Sequence, residues 1–236
     1  MKKTRKLIPA LVMLLVSAIM LSTASYAWFA SNLTVTAQDM SVTATVNTKF
    51  LQISADNLSF NTYADAAVDA KTDLNLIHAK IEEGAVAWYQ GSSQNTSDAN
   101  SGSATKIPAE KLNAELASCT LENTFYVKLY KPGTVYNFKV EDVTITDEGG
   151  ASLAKAVRVL IVGTDGGIEL WSNTSGDMVQ VGKQGDAIFT SLTETAKNFK
   201  VYVFYDGEDA TASTDNASVL TAVGVSITFT ASETNE

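Results

Sequence analysis

A period of two runs through this chain, and it constrains the fold more than any other feature. Val223, Val225, Ile227, Phe229 and Ala231 alternate with Ser226, Thr228 and Thr230, and Phe199, Val201, Val203 and Tyr205 repeat the pattern. Phe125, Val127 and Leu129 alternate up to Lys131-Pro132-Gly133-Thr134, where Pro and Gly occupy the centre of a type II turn, and Tyr136, Phe138 and Val140 continue beyond it. Successive side chains of a strand point to opposite faces, so this spacing predicts half-buried β-strands. The phase changes at Glu141-Asp142 before Val143 and Ile145, as a bulge would require. Residues 157–162 are apolar nearly throughout, the pattern of a strand covered on both faces, and Asp165-Gly166-Gly167 turns that strand into residues 168–171.

The same reading extends towards the N-terminus. Leu33, Val35 and Ala37 share one parity and Met40, Val42, Ala44 and Val46 the other, with the break at Gln38-Asp39. Shorter strands are expected over 50–54 and 85–89. Residues 55–83 read as loops with helical turns over 64–70 and 74–81, and Pro108 opens a short helix in which Leu112 and Leu116 lie four apart. Residues 91–105 are Ser, Asn, Gly, Ala and Thr with little else, a composition that buries nothing and predicts a flexible surface loop. About eight to ten strands without regular strand–helix alternation point to an all-β, jelly-roll-like antiparallel sandwich with short helices in its connections.

The first residues are of a different kind. Lys2, Lys3, Arg5 and Lys6 precede an apolar run over 7–21, which ends in Ser22-Thr23-Ala24-Ser25-Tyr26-Ala27. A charged segment, an apolar segment and small residues at −3 and −1, here Ser25 and Ala27, form a secretory signal peptide. The competing reading is a retained membrane anchor, since no charge occurs between Lys6 and Asp39. The expected organisation is a signal peptide helix over 1–27, an extended N-terminal strand over 28–47 and a sandwich domain over 48–236. Export removes four of 17 basic residues and none of the 26 acidic ones, deepening the net charge from −9 to −13. Such a surface disfavours nucleic acid, and contact with a membrane is expected only through the signal segment where it stays uncleaved.

Chemistry is sparse. His78 is the only histidine, so there is no histidine pair for zinc and no familiar catalytic arrangement; it is expected at a surface or boundary. Cys119, the only cysteine, reads as a small buried hydrophobe in a chain that cannot form an internal disulfide. Asp206-Gly207-Glu208-Asp209, with Asp215 behind it, is too poor in carboxylates for a calcium loop and is expected to be a solvated turn. Trp28, Trp88 and Trp171 have no spacing that assembles a sugar platform. No cofactor site, metal site or enzymatic activity is expected.

What remains is the alternating N-terminal stretch, a segment that must find a sheet edge in its own domain or a neighbour's. Tyr26-Ala27-Trp28-Phe29 after the apolar run resembles the exported proteins of Gram-positive bacteria grouped with TasA and camelysin. So does Val201-Tyr202-Val203-Phe204-Tyr205-Asp206-Gly207-Glu208-Asp209, which leads through Asn216 to the last strand. The resemblance implies a secreted or surface-held jelly-roll subunit of a biofilm matrix, with Ala27 before the cut. It also implies assembly by lending an N-terminal strand to the next subunit, with Leu33, Val35, Ala37, Met40, Val42, Ala44 and Val46 as donor-strand side chains. The metallopeptidase activity described for camelysin does not transfer to a chain with one histidine and no zinc motif. The first expectation is therefore a self-associating fibre subunit; the second is a monomeric or membrane-anchored cell-surface module that binds a glycan or protein.

Overall fold

The computed structural model describes residues 40–45, 51–66, 76–90, 105–147, 154–173, 177–209 and 223–235. In chain order the strands are β1 (Met40–Thr45), β2 (Leu51–Ser54), β3 (Tyr63–Asp65), β4 (Ile77–Glu82), β5 (Ala85–Gln90), β6 (Thr105–Lys106) and, after helix α1 (Ala109–Cys119), β7 (Thr120–Leu129). They continue with β8 (Val135–Asp147), β9 (Val157–Gly163), β10 (Ile168–Asn173), β11 (Met178–Gln184), β12 (Phe189–Leu192), β13 (Lys197–Tyr205) and β14 (Val223–Ser232).

Sheet I runs β12-β8-β14-β1-β3 and sheet II runs β11-β10-β9-β13-β7-β2. Among the described residues the strand ladders are antiparallel except that between β1 and β14, which run parallel, and an isolated parallel bridge joins Ile77 to Asp206. The chain crosses between the sheets from β7 to β8, β8 to β9, β11 to β12, β12 to β13 and β13 to β14, the winding of a jelly roll. The expected all-β sandwich is what forms. The turn at Lys131-Pro132-Gly133-Thr134, with Gly133 at φ 149°, makes no hairpin; it carries the chain from sheet II to sheet I.

The core between the sheets is built from the alternating residues: Phe125 and Val127 of β7, Phe199, Val201 and Val203 of β13, and Val225, Ile227 and Phe229 of β14 are all buried. Phe138 and Phe229 stack at 4.7 Å and 8°, with Phe189 and Phe199 around Phe138 at 5.9 and 6.0 Å. Burying a side chain of this size contributes about 1.5–3 kcal/mol.

Sheet II is covered on its other face as well. A three-stranded sheet, β4-β5-β6, and α1 enclose a second core with Ile77, Trp88, Leu116, Cys119, Leu160 and Phe204. This third layer is the reason residues 157–162 do not alternate: Val157, Val159 and Ile161 serve the first core and Leu160 the second. Cys119 is fully buried there, as expected of a small hydrophobe. The helical turns expected over 74–81 are instead β4, paired with β5 through a tight turn in which Glu83 and Gly84 both take positive φ, 50° and 81°. A Glu-Gly turn of this kind is the hairpin signal that apolar spacing obscured. Pro108 does precede a helix, α1.

The phase change in β8 is a bulge. Thr228 of β14 pairs with Asp142 and Phe229 with Val140, so Glu141 is the extra residue. Asp165-Gly166-Gly167 closes the β9–β10 hairpin, with Gly166 at φ 89°. The flexible loop expected at 91–105 lies outside the described residues except Thr105, which pairs with Gln90 in β6.

Candidate functional site

The N-terminal stretch enters the structure at β1, which occupies an interior place in sheet I. On one side the register runs from Met40 opposite Val225 to Thr45 opposite Thr230 of β14; on the other, Ser41, Val42 and Thr43 face Asp65, Ala64 and Tyr63 of β3. Met40, Val42 and Ala44 thus stand opposite Val225, Ile227 and Phe229, the β14 residues that point into the core. Ser41, Thr43 and Thr45 stand opposite Ser226, Thr228 and Thr230. Leu33, Val35, Ala37 and Val46 lie outside the described residues, as do Ser25, Ala27 and the whole signal segment.

The place β1 fills has built walls. β14 is tied to β8 along its length, from Val223 opposite Asp147 to Ser232 opposite Tyr136, so its remaining edge is the one β1 covers. β3 is short, and its named ladder partner is β1. Removing β1 would leave unpaired a backbone edge lying over Val225, Ile227 and Phe229, and would leave β3 without its ladder.

Of the residues weighed for chemistry, the acidic segment is accounted for differently than its sequence context implied, whereas His78 lies at a boundary as expected. Asp206-Gly207-Glu208-Asp209 is no solvated turn. Asp206 is buried at the end of β13, where its Oδ2 lies 3.0 Å from Arg158 Nε, and Asp209 Oδ2 lies 3.3 Å from Arg158 Nη2. Arg158 Nη1 also donates to the carbonyl oxygens of Lys155 and Val157 at 2.7 and 3.1 Å. His78 Nδ1 sits 2.6 Å from Asp206 Oδ1, and Gly207 N donates to Ile77 O at 3.0 Å. A buried carboxylate needs a counter-charge, and Arg158 provides it from within the apolar run of β9. The cluster therefore fastens β4 to the end of β13. Among the described residues no group of three or more His, Cys, Asp or Glu side chains is placed to hold a metal ion. Trp88 and Trp171 are buried in different cores and share no platform; Trp28 and Asp215 lie outside the described residues.

A feature that sequence reasoning missed is Glu169. It is buried on β10, where Oε1 accepts the backbone N–H of Val140 at 3.2 Å and Oε2 accepts Trp171 Nε1 at 3.2 Å and Gln180 Nε2 at 2.7 Å. Burial pushes its carboxyl above the usual carboxylate range, against the opposing pull of the hydrogen bonds from Val140, Trp171 and Gln180. A cavity of about 210 Å³ beside it is bordered by Lys139, Lys183 and Asp186. Val140 lies just past the reach of β12, whose pairing with β8 ends at Phe138, so the carboxylate supplies there the acceptor that a further strand residue would.

No family model, no curated protein and no solved structure matches this chain. Among the described residues no helix is long and apolar enough to cross a membrane.

Proposed function

We propose that this chain is a secreted structural subunit of an extracellular biofilm-matrix or pilus-like fibre. Residues 28–47 of one subunit take, in the next, the place between β14 and β3 that Met40–Thr45 fill within a single chain. One observation carries the reading: the first strand of the sandwich is an interior strand, held by ladders to β14 and β3 and parallel to the last strand. An identical segment from a second copy makes the same contacts in the same register, which is why exchange of an element between copies has a low energetic cost. Passed head-to-tail, the exchange is heterologous and lengthens without closing. The signal peptide over 1–27 supports export, and the resemblance of the N- and C-terminal segments to the TasA and camelysin group points the same way.

Electron microscopy of the processed, secreted protein tests this. Threads are expected from the chain beginning at residue 28 and none from a chain lacking residues 28–47, and an excess of the isolated 28–47 peptide should stop growth. Threads that persist without residues 28–47, or a processed chain that stays monomeric at every concentration, would overturn the reading.

A further inference from the structure

Asp206 and Glu169 are the buried carboxylates among the described residues, and their charges are met differently. Asp206 lies 3.0 Å from the Arg158 guanidinium, whereas none of the ion pairs among the described residues includes Glu169. A carboxylate taken out of water is costly unless a cation accompanies it. The donors to Glu169 are the Val140 N–H, the Trp171 Nε1 and the Gln180 Nε2, all uncharged. They fill three of the about four acceptor positions that a carboxylate offers. One position remains, and with it the need for a positive charge. Its carboxyl, raised by burial, reflects the same imbalance.

The cavity of about 210 Å³ that Glu169 borders is also lined by exposed groups: the Lys183 and Asp186 side chains are 53% and 93% exposed, and Lys139 is exposed as well. Its inner wall is therefore anionic and its rim carries two cations. Lys139 has no ion pair among the described residues, and the Lys183–Asp186 pair at 3.0 Å is exposed enough to yield to another anion. The rim repels a simple cation and Glu169 repels a simple anion, but a molecule with an ammonium at one end and a carboxylate at the other satisfies both. At about 30 Å³ for each water-sized group, the cavity has room for roughly seven non-hydrogen atoms. We propose that this cavity binds a small ω-amino acid, whose ammonium donates to Glu169 and whose carboxylate is held at the rim by Lys139 and Lys183. Lys139 belongs to sheet I and Glu169 to sheet II, so the bound molecule adds a second tie between the layers beside the Glu169–Val140 hydrogen bond. The site does not depend on the exchange of β1.

4-Aminobutanoate, which is of that size, is the probe, and isothermal titration calorimetry of the processed chain is the measurement. Butylamine and butanoate each carry one of its two charges and should bind about tenfold more weakly or worse. Glu169→Gln removes the inner charge and should weaken 4-aminobutanoate about tenfold or more without weakening butanoate. The rim variant K139A/K183A changes only exposed side chains, so its circular dichroism should match the wild type. It should weaken 4-aminobutanoate by a similar factor and leave butylamine no weaker. Saturating 4-aminobutanoate should raise the thermal midpoint of the wild type by more than that of the rim variant. Three results would overturn the proposal: no binding heat and no midpoint shift in the wild type, singly charged probes that bind as tightly as 4-aminobutanoate, or wild-type affinity in either variant.

Discussion

Glu169 of sheet II accepts the backbone N–H of Val140 in sheet I at 3.2 Å, so a single carboxylate bridges the two layers of the sandwich where β12 stops short. The bridge has a pH signature. Because burial raises the folded carboxyl above its unfolded value, its contribution to stability is fully present below the ordinary glutamate pKa and is lost as pH rises through the raised value. Glu169→Gln cannot titrate, so the stability of the wild type relative to this variant should fall as pH rises from about 4. Urea unfolding of both proteins across that range checks the slope. Asp56 works in the opposite sense: the Ser54 hydroxyl, then the Ser59 and Leu58 backbone N–H groups, hold its carboxyl well below the usual range, but its effect is common to both proteins. Glu169→Ala should cost about 1–3 kcal/mol at acid pH, since it strands the Val140 N–H and the Trp171 Nε1, and less as pH rises.

Arg158→Met should be among the most damaging single changes. It leaves Asp206 buried without its cation and releases the clamp on β4, a loss of about 3–5 kcal/mol. Amide exchange should show Gly207 N, which donates to Ile77 O, losing protection before the strands of the first core do.

Gly167 has no room for a side chain. A Cβ there would meet the backbone of Ala187 and come within 2.6 Å of the Ile188 Cα, which is main chain and does not rotate away. Gly167→Ala should destabilise by about 1–3 kcal/mol, read as a lower thermal midpoint. Gly166→Ala meets no atom within 4 Å and is penalised only for its φ of 89°, so it should be the milder of the two.

Thr43 has ladder neighbours on both sides, Thr228 and Tyr63. Thr43→Pro removes an N–H from an interior strand and should abolish threads in electron micrographs, whereas Thr43→Val keeps the backbone and should preserve them.

How much of this was legible in the sequence depends on whether the signal was local. The alternation of β13 and β14, the bulge at Glu141 and the doubly covered β9 were all readable, because burial imposes the pattern on neighbouring residues. β4 was misread as helical because His78 and Lys80 alternate with apolar residues over too few positions to outweigh the apolar count around them. β11 left no pattern, since most of its residues are exposed. The third layer was foreshadowed by residues 157–162 but its source was not, because covering that face requires β4, β5 and α1 from distant parts of the chain. The pairings His78–Asp206 and Glu169–Val140 join residues 128 and 29 positions apart, so topology alone brings them together.

The parallel run of β1 beside β14 also decides how the fold bears tension. The chain enters β1 at Met40, level with Val225, and leaves β14 at Ser232, past the far end of the shared ladder. Force applied to those two points slides the strands along each other and loads every rung at once, as in a lap joint, whereas an antiparallel neighbour would peel rung by rung.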